Sequence, residues 1–309
     1  MNRQETMRQL TGCFIPVPTL FQEKTLDINL EGMRKHVRFL CDSGCKTGNT
    51  CVLVGGGAGE FHSLNTQERL QILEAVLDGA AGRLKVVFGV QSTNQREMVH
   101  LVKGAAERGA VAVQMGAPFY SPPTEDDMFD WMKAAADAAD IGQVFYTTYW
   151  TGFNTSLQFL ERLTKIEQVV AIKWASNDFV LFEQGLRNFV KHFLFVDNQL
   201  EFVRTHMYGG RSFNLHPCNI APKWGLKFWE LLESKKYLEA QQEMTRVVSP
   251  YYDLFAEISK ATCGEGTLDK LSMELIGLEG GPCRPPTRDV REKFRGKVRE
   301  MLVGCGVIS

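Results

Sequence analysis

Three stretches of the 309-residue chain carry side chains suited to covalent chemistry on a carbonyl. The first is VVAIKWASND, Val169 to Asp178, where a lysine ends an apolar run. Period-two alternation puts Val169, Ala171 and Lys173 on one face of a strand and Val170 and Ile172 on the other. An amine on an interior face loses hydration, which disfavours the ammonium and leaves a nucleophile able to attack a carbonyl. The same position also suits a lysine whose stem packs while its tip reaches solvent. The second stretch is VFYTTYWTG, in which Tyr146 ends the preceding apolar run; its hydroxyl could shuttle protons, or could simply bond to backbone. The third is GGGAGEF, Gly55 to Phe61, whose backbone amides could form a nest for a carboxylate or phosphate, although glycines also serve tight turns. Glu60 argues against phosphate, and an acid there would brace the loop through backbone hydrogen bonds.

The elements that must position these groups follow one rhythm. Short apolar runs alternate with longer segments of helical period, eight times over about 235 residues. CFIPVPTLF, TCVLVGG, LKVVFGV, AVAVQMGAP, GQVFYTTY, VVAIKWAS, HFLFVDN and RSFNLHPCN are the strand-like runs. Asn65, Asn94, Thr124 and Ser156 stand where helix caps belong, and Gly44, Gly82 and Gly109 stand where helices close. Continuously apolar strands suit a parallel sheet covered by helices. Eight repeats fit an α/β class protein, a closed (β/α)8 TIM barrel, and the first strand lacks the glycine pattern of a dinucleotide fold. After about Lys236 only helical patterns remain, with the stiff connector GGPCRPPT among them. The expected organisation is a barrel over residues 1–236 and a C-terminal helical extension over 237–309, packed on the barrel. In such a barrel active-site groups lie at the C-terminal ends of strands. Those ends supply GGGAGE, PFYSPP, Tyr146, Lys173, Asp197 and the run Asn214 to Asn219.

Composition narrows the chemistry. A formal net charge of -1, with basic residues spread along the chain, gives no reason to expect nucleic acid or a membrane surface. The N-terminus is polar and of mixed charge, and no apolar stretch reaches membrane-span length, so a cytoplasmic location is expected. Cys41, Cys45 and Cys51 have no fourth ligand at zinc-site spacing, and free, mostly buried thiols are the expectation for the eight cysteines. The six histidines are scattered, which speaks against a metal-dependent aldolase. The aromatic helix PKWGLKFWELL is expected to face a core.

These stretches, taken together and in order, resemble the dihydrodipicolinate synthase and N-acetylneuraminate lyase family of class I Schiff-base aldolases. GGGAGEFHSLNTQER is similar to the family's G-x-x-G-E-x-x-x-L-x-x-x-E-R segment, and APFYSPPTEDDMFDW to its P-Y-Y-x-x-P segment. VFYTTYWTG matches its tyrosine strand, VVAIKWASND its Schiff-base strand, GGRSFNLHPCNIAP its G-x-x-G…N-x-x-P stretch and GLEGGPCRPP its ending. The resemblance implies that Lys173 forms an imine with a 2-keto group, that Tyr146 relays protons and that the Gly57, Ala58 and Gly59 amides hold the substrate carboxylate. It implies that Tyr120 acts from a neighbouring subunit, hence a homodimer or homotetramer.

Departures from the family pattern bear on the substrate. Many members carry Ser or Thr at the positions of Gly57 and Ala58, so a hydroxyl relay is missing here. Trp150 stands near where the synthase has a carboxylate-gripping arginine, and an indole cannot make that bidentate pair. Asn214 replaces a usually apolar residue, and with Asp197, Asn198 and His216 it suits a hydroxylated substrate tail. The expected activity is therefore an aldolase or dehydratase acting on pyruvate or a 2-keto-3-deoxy sugar acid. No metal or organic cofactor is expected, because the lysine itself is the electron sink. The alternative is an impaired member that binds a keto acid or serves in assembly.

Overall fold

The computed structural model describes residues 1–118 and 120–308. Eight parallel strands close into a barrel in chain order: β1 (Gly12–Pro16), β2 (Thr50–Val54), β3 (Lys85–Gly89), β4 (Ala112–Met115), β5 (Gly142–Thr148), β6 (Val169–Ala175), β7 (Leu194–Asp197) and β8 (Ser212–Asn214). β8 returns to β1, with Phe14 opposite Asn214. The barrel is the one expected from the eightfold rhythm. A short helix, α1 (Arg3–Gln9), precedes β1, and one helix follows each strand: α2 (Leu30–Asp42), α3 (Thr66–Ala80), α4 (Gln95–Arg108), α5 (Glu125–Ala138), α6 (Leu157–Leu163), α7 (Phe179–Phe189), α8 (Phe202–Met207) and α9 (Pro222–Glu233). After Lys236 the described residues hold helices and no strand: α10 (Tyr237–Glu243), α11 (Ser249–Ser259), α12 (Gly266–Leu275) and α13 (Arg291–Gly304).

Local chemistry sets the helix ends. The side chains of Asn65, Asn94, Thr124 and Ser156 each accept from a backbone N–H in the first turn, and Asn65 and Thr124 complete capping boxes with Glu68 and Asp127. Gly44, Gly82 and Gly109 all take positive φ just beyond α2, α3 and α4. In α9, Phe228, Trp229, Leu231 and Leu232 are buried, as the aromatic pattern required.

By spatial contacts the chain separates into two compact units, each made of three stretches. The first comprises Met1–Phe14, Thr47–Leu53 and Lys85–Asn214. Its core joins Leu10 and Phe14 with Leu53, Val87, Ala112, Val144, Ala171, Leu194 and Val196. Met1 and Met7 pack against that core, which explains α1. A seven-residue helix is marginal alone, so the polar N-terminal sequence carries little sign of it; burial of Met7 and Leu10 makes it form.

Strict alternation fails at one point on β6. Gln143 pairs with Val169 but Val144 pairs with Ala171, a bulge that brings Val170 into the core beside Ala171. Beyond the bulge the alternation resumes, and Trp174 faces α7. A Cβ built on Gly185 of α7 would lie 2.3 Å from Cζ3 of Trp174 and 2.8 Å from Cη2. The indole is itself wedged between Phe182 and Phe195. Gly185→Ala is therefore expected to destabilise the protein by about 1–3 kcal/mol through overpacking, although alanine is the better helix former. Urea denaturation reads this, and wild-type stability would mean that the ring swings aside freely.

The second unit comprises Ile15–Lys46, Val54–Leu84 and Leu215–Ser309. It contains the packed pair α2 and α3, and α9 to α13, with α13 packed on α11 and α12.

Candidate active site

Lys173 lies near the C-terminal end of β6, opposite Tyr146 of β5 in the parallel register. Residues paired across a parallel ladder share a face, so the ammonium and the phenol project to the same side. Lys173 is 5% exposed. Its Nζ stands 5.3 Å from the centroid of the Tyr146 ring and 5.1 Å from that of Phe14. An amine among aromatic faces is held by cation–π attraction yet poorly hydrated. Gly116, just past β4, lies close against this strand: a Cβ there would meet the backbone carbonyl oxygen of Tyr146 at 3.1 Å and its ring Cδ1 at 3.4 Å. Cys51 lies in the same core, and burial pushes its thiol far above the ordinary range, so it is no competing nucleophile.

Asn214 joins this face. It pairs with Phe14, while its neighbour Phe213 turns the other way onto Phe202 and His206 of α8. Phe14, Tyr146, Lys173 and Asn214 thus line one side of the strands in the first unit. Two positions on this side, Phe14 and Gly116, escaped the sequence reading because an aromatic and a glycine carry no chemical signal alone.

Asp197 does not join them, which corrects the expectation that it contacts substrate. It pairs with Trp174, whereas Lys173 pairs with Val196, so the pleat sends Asp197 to the helix side. There its carboxylate accepts from Thr205 Oγ1 of α8 at 2.5 Å and from Gln199 N at 2.7 Å. Burial pushes the carboxyl up to about 6, against these hydrogen bonds, which favour the ionised form. The folded pKa lies above the unfolded one, so this group's stabilising contribution is complete below about pH 4 and is lost as pH rises through 6. Relative to wild type, Asp197→Asn should gain about 3 kcal/mol between roughly pH 4 and pH 7. Chemical denaturation at the two pH values checks this; a constant difference would show that Asp197 titrates as it does unfolded.

Trp150 and Tyr120 sit on exposed loops. Trp150 is half-exposed on the turn after β5, its ring edge-on to Tyr149 at 4.6 Å. Tyr120 is fully exposed and takes a φ of 79°, an uncommon backbone state for a bulky residue. Phe119 of the PFYSPP stretch lies outside the described residues.

The glycine loop belongs to the second unit. A Cβ on Gly59 would approach Gly55 N to 2.8 Å, so the loop folds back tightly on itself and only glycine fits there. Its carbonyls are engaged: Gly57 O accepts from Glu60 N, Gly56 O from Phe61 N and Gly59 O from Thr19 Oγ1. None of these bonds uses the amides of Gly57, Ala58 or Gly59. Glu60 closes the loop at a φ of 51°, wholly buried. It braces the loop as expected, accepting from Arg284 N at 2.9 Å, but also through an ion pair with buried Lys270 of α12. Lys270 donates in addition to Pro282 O. This cation lies 210 residues away from Glu60 and gave no signal in the sequence.

His216 is likewise engaged within the second unit. Its Nδ1 is 2.8 Å from Asp269 Oδ2, and Tyr251 donates to Asp269 Oδ1 at 2.5 Å. Asn219 donates to Pro16 O and hydrogen-bonds His36. The expected polar contribution of His216 to a substrate is thus a buried tie to α11 and α12. All eight cysteines are unbridged, and seven are buried. Among the described residues no group of three or more His, Cys, Asp or Glu is placed to hold a metal, and no helix is long and apolar enough to cross a membrane.

Comparison with known proteins gives a consistent result. The profile of the Dihydrodipicolinate synthetase family matches residues 9–304. The chain is 24% identical over 303 residues to a 4-hydroxy-tetrahydrodipicolinate synthase of Methanopyrus kandleri, covering 97% of this chain and 98% of that one. It is 25% identical over 287 residues to an N-acetylneuraminate lyase of Clostridium perfringens, covering 90% and 94%. In fold it is similar to the chloride-inhibited dihydrodipicolinate synthase of Acinetobacter baumannii complexed with pyruvate, with a TM-score of 0.85, 22% identity and coverage of 97% and 100%.

Proposed function

The chain belongs to the dihydrodipicolinate synthetase family and is a lyase of the class I aldolase type, and we propose that Lys173 is its Schiff-base residue. The substrate is pyruvate or a 2-keto-3-deoxy sugar acid. The amine adds to the keto carbon, the carbinolamine loses water, and the resulting imine draws electrons from the bond at C3. That bond then breaks as C–C cleavage or as loss of water. Tyr146 carries protons to and from the reacting atoms. The observation that supports this reading best is the β5–β6 register, which sets a phenol directly opposite a buried amine.

The remaining roles extend the same reading. The amides of Gly57, Ala58 and Gly59 hold the substrate carboxylate. Asn214, on the lysine's face, bonds a hydroxyl of the substrate tail. Trp150 stands where a carboxylate-binding arginine would favour the synthase reaction, so its indole turns selection towards an uncharged partner. Tyr120, exposed on its loop, acts in a neighbouring subunit of a homodimer or homotetramer. The test is reduction with borohydride in the presence of pyruvate, followed by intact mass. Wild type should gain the mass of pyruvate less one oxygen atom on Lys173. A pyruvate-induced rise in melting temperature with no adduct would reject the lyase reading and leave a keto-acid binder.

A further inference from the structure

The loop that lacks both hydroxyls is not left without a titratable group. A Cβ built on Gly57 would lie 2.7 Å from Cδ, Oε1 and Oε2 of Glu265 alike, so a carboxylate occupies the space that a side chain at position 57 would fill. Glu265 is the N-cap residue of α12, but its side chain does not cap that helix. Its backbone is held against the same loop, for a Cβ on the next residue, Gly266, would meet Glu60 Oε1 at 3.0 Å and Ala58 O at 3.3 Å. One turn on, Lys270 is ion-paired to Glu60. The start of α12 therefore grips the loop at both ends and presents a carboxylate at Gly57.

We propose that Glu265 is the acid–base group of the Gly57–Gly59 loop, doing there what a loop hydroxyl would otherwise do. The inference rests on the proposed function, in which that loop holds the carboxylate of a 2-keto acid. In such a substrate the keto oxygen is on the carbon next to the carboxylate, so a group beside the bound carboxylate is beside that oxygen too. In its protonated form Glu265 can act there as a general acid. The carboxyl then gives its proton to the carbinolamine oxygen as the C–O bond breaks with its electron pair going to oxygen. Water leaves, the lysine nitrogen's lone pair completes the C=N bond, and Glu265 is left ionised. When water later attacks the imine carbon, Glu265 takes the proton back.

The rate of borohydride trapping at saturating pyruvate tests this. Glu265→Gln keeps the shape and removes the exchangeable proton. It should trap pyruvate about 10²-fold more slowly or worse, with the half-saturating pyruvate concentration unchanged or lower. Glu265→Ala should be equally slow, and adding Gly57→Ser to it, which sets a hydroxyl in the vacated space, should restore the rate at least about tenfold. Trapping by Glu265→Gln at the wild-type rate, or a change confined to pyruvate affinity, overturns the inference and leaves the Schiff-base reading intact. Failure of wild type itself to trap pyruvate overturns both.

Discussion

Lys173→Ala is expected to form no borohydride-trapped adduct and to lose turnover by about 10⁴-fold or more, the scale on which removal of a covalent nucleophile acts. The physical basis is narrow. Lys173 is the amine set across from Tyr146, and its surroundings are aromatic and poorly hydrated. No residue paired beside it on β7 can replace it, since its partner there is Val196. The variant should fold. Truncation removes a buried cation from a hydrophobic setting, a change that at functional sites is commonly neutral or stabilising. Unchanged or raised melting temperature together with lost chemistry is the expected pair of results. An adduct of undiminished yield on Lys173→Ala would place the nucleophile elsewhere and dismiss the mechanism. Lys173→Arg separates charge from nucleophilicity, because a guanidinium keeps the cation–π contacts but stays protonated; it should fold and remain inert.

The second large effect concerns stability. Lys270→Met is expected to cost about 3–5 kcal/mol, because it leaves the Glu60 carboxylate without its cation at a site shut off from water. Both partners are fully buried. Its other partners, Arg284 N and the Cys283 thiol, carry no charge that could neutralise it. For a chain of this size such a loss lowers the melting temperature by roughly 10 °C. Adding Glu60→Gln to Lys270→Met should return part of the loss, since no uncompensated charge is then buried. A single variant as stable as wild type would mean that the carboxylate finds water or another cation. The pair also matters for the glycine loop, because Glu60 is held at a positive φ that a free glutamate avoids.

The same two sites show what was legible beforehand. Caps, closing glycines and apolar runs are encoded within a few residues of where they act. Asn65, Asn94, Thr124 and Ser156 cap helices through bonds to their own first turns, so their roles could be read directly. The rank of Lys173 as nucleophile rested on its place at the end of an apolar strand, again a local property. Strand-end position alone does not fix the direction of Asp197: one residue's difference in parity sends a side chain to the helices instead of the interior.

What the sequence determined by itself was the eightfold order of elements and their ends, and it put Lys173 and Tyr146 forward as the candidate amine and phenol. Period and capping are short-range effects, and eight repeats of them admit few topologies. Tertiary structure alone decided which distant groups meet. It made a helix of the polar N-terminus by burying Met7 and Leu10, paired Glu60 with Lys270 and set Glu265 against Gly57. Those contacts join segments some 200 residues apart. Their energies come from burial and exclusion of water, which exist only once the chain has closed on itself.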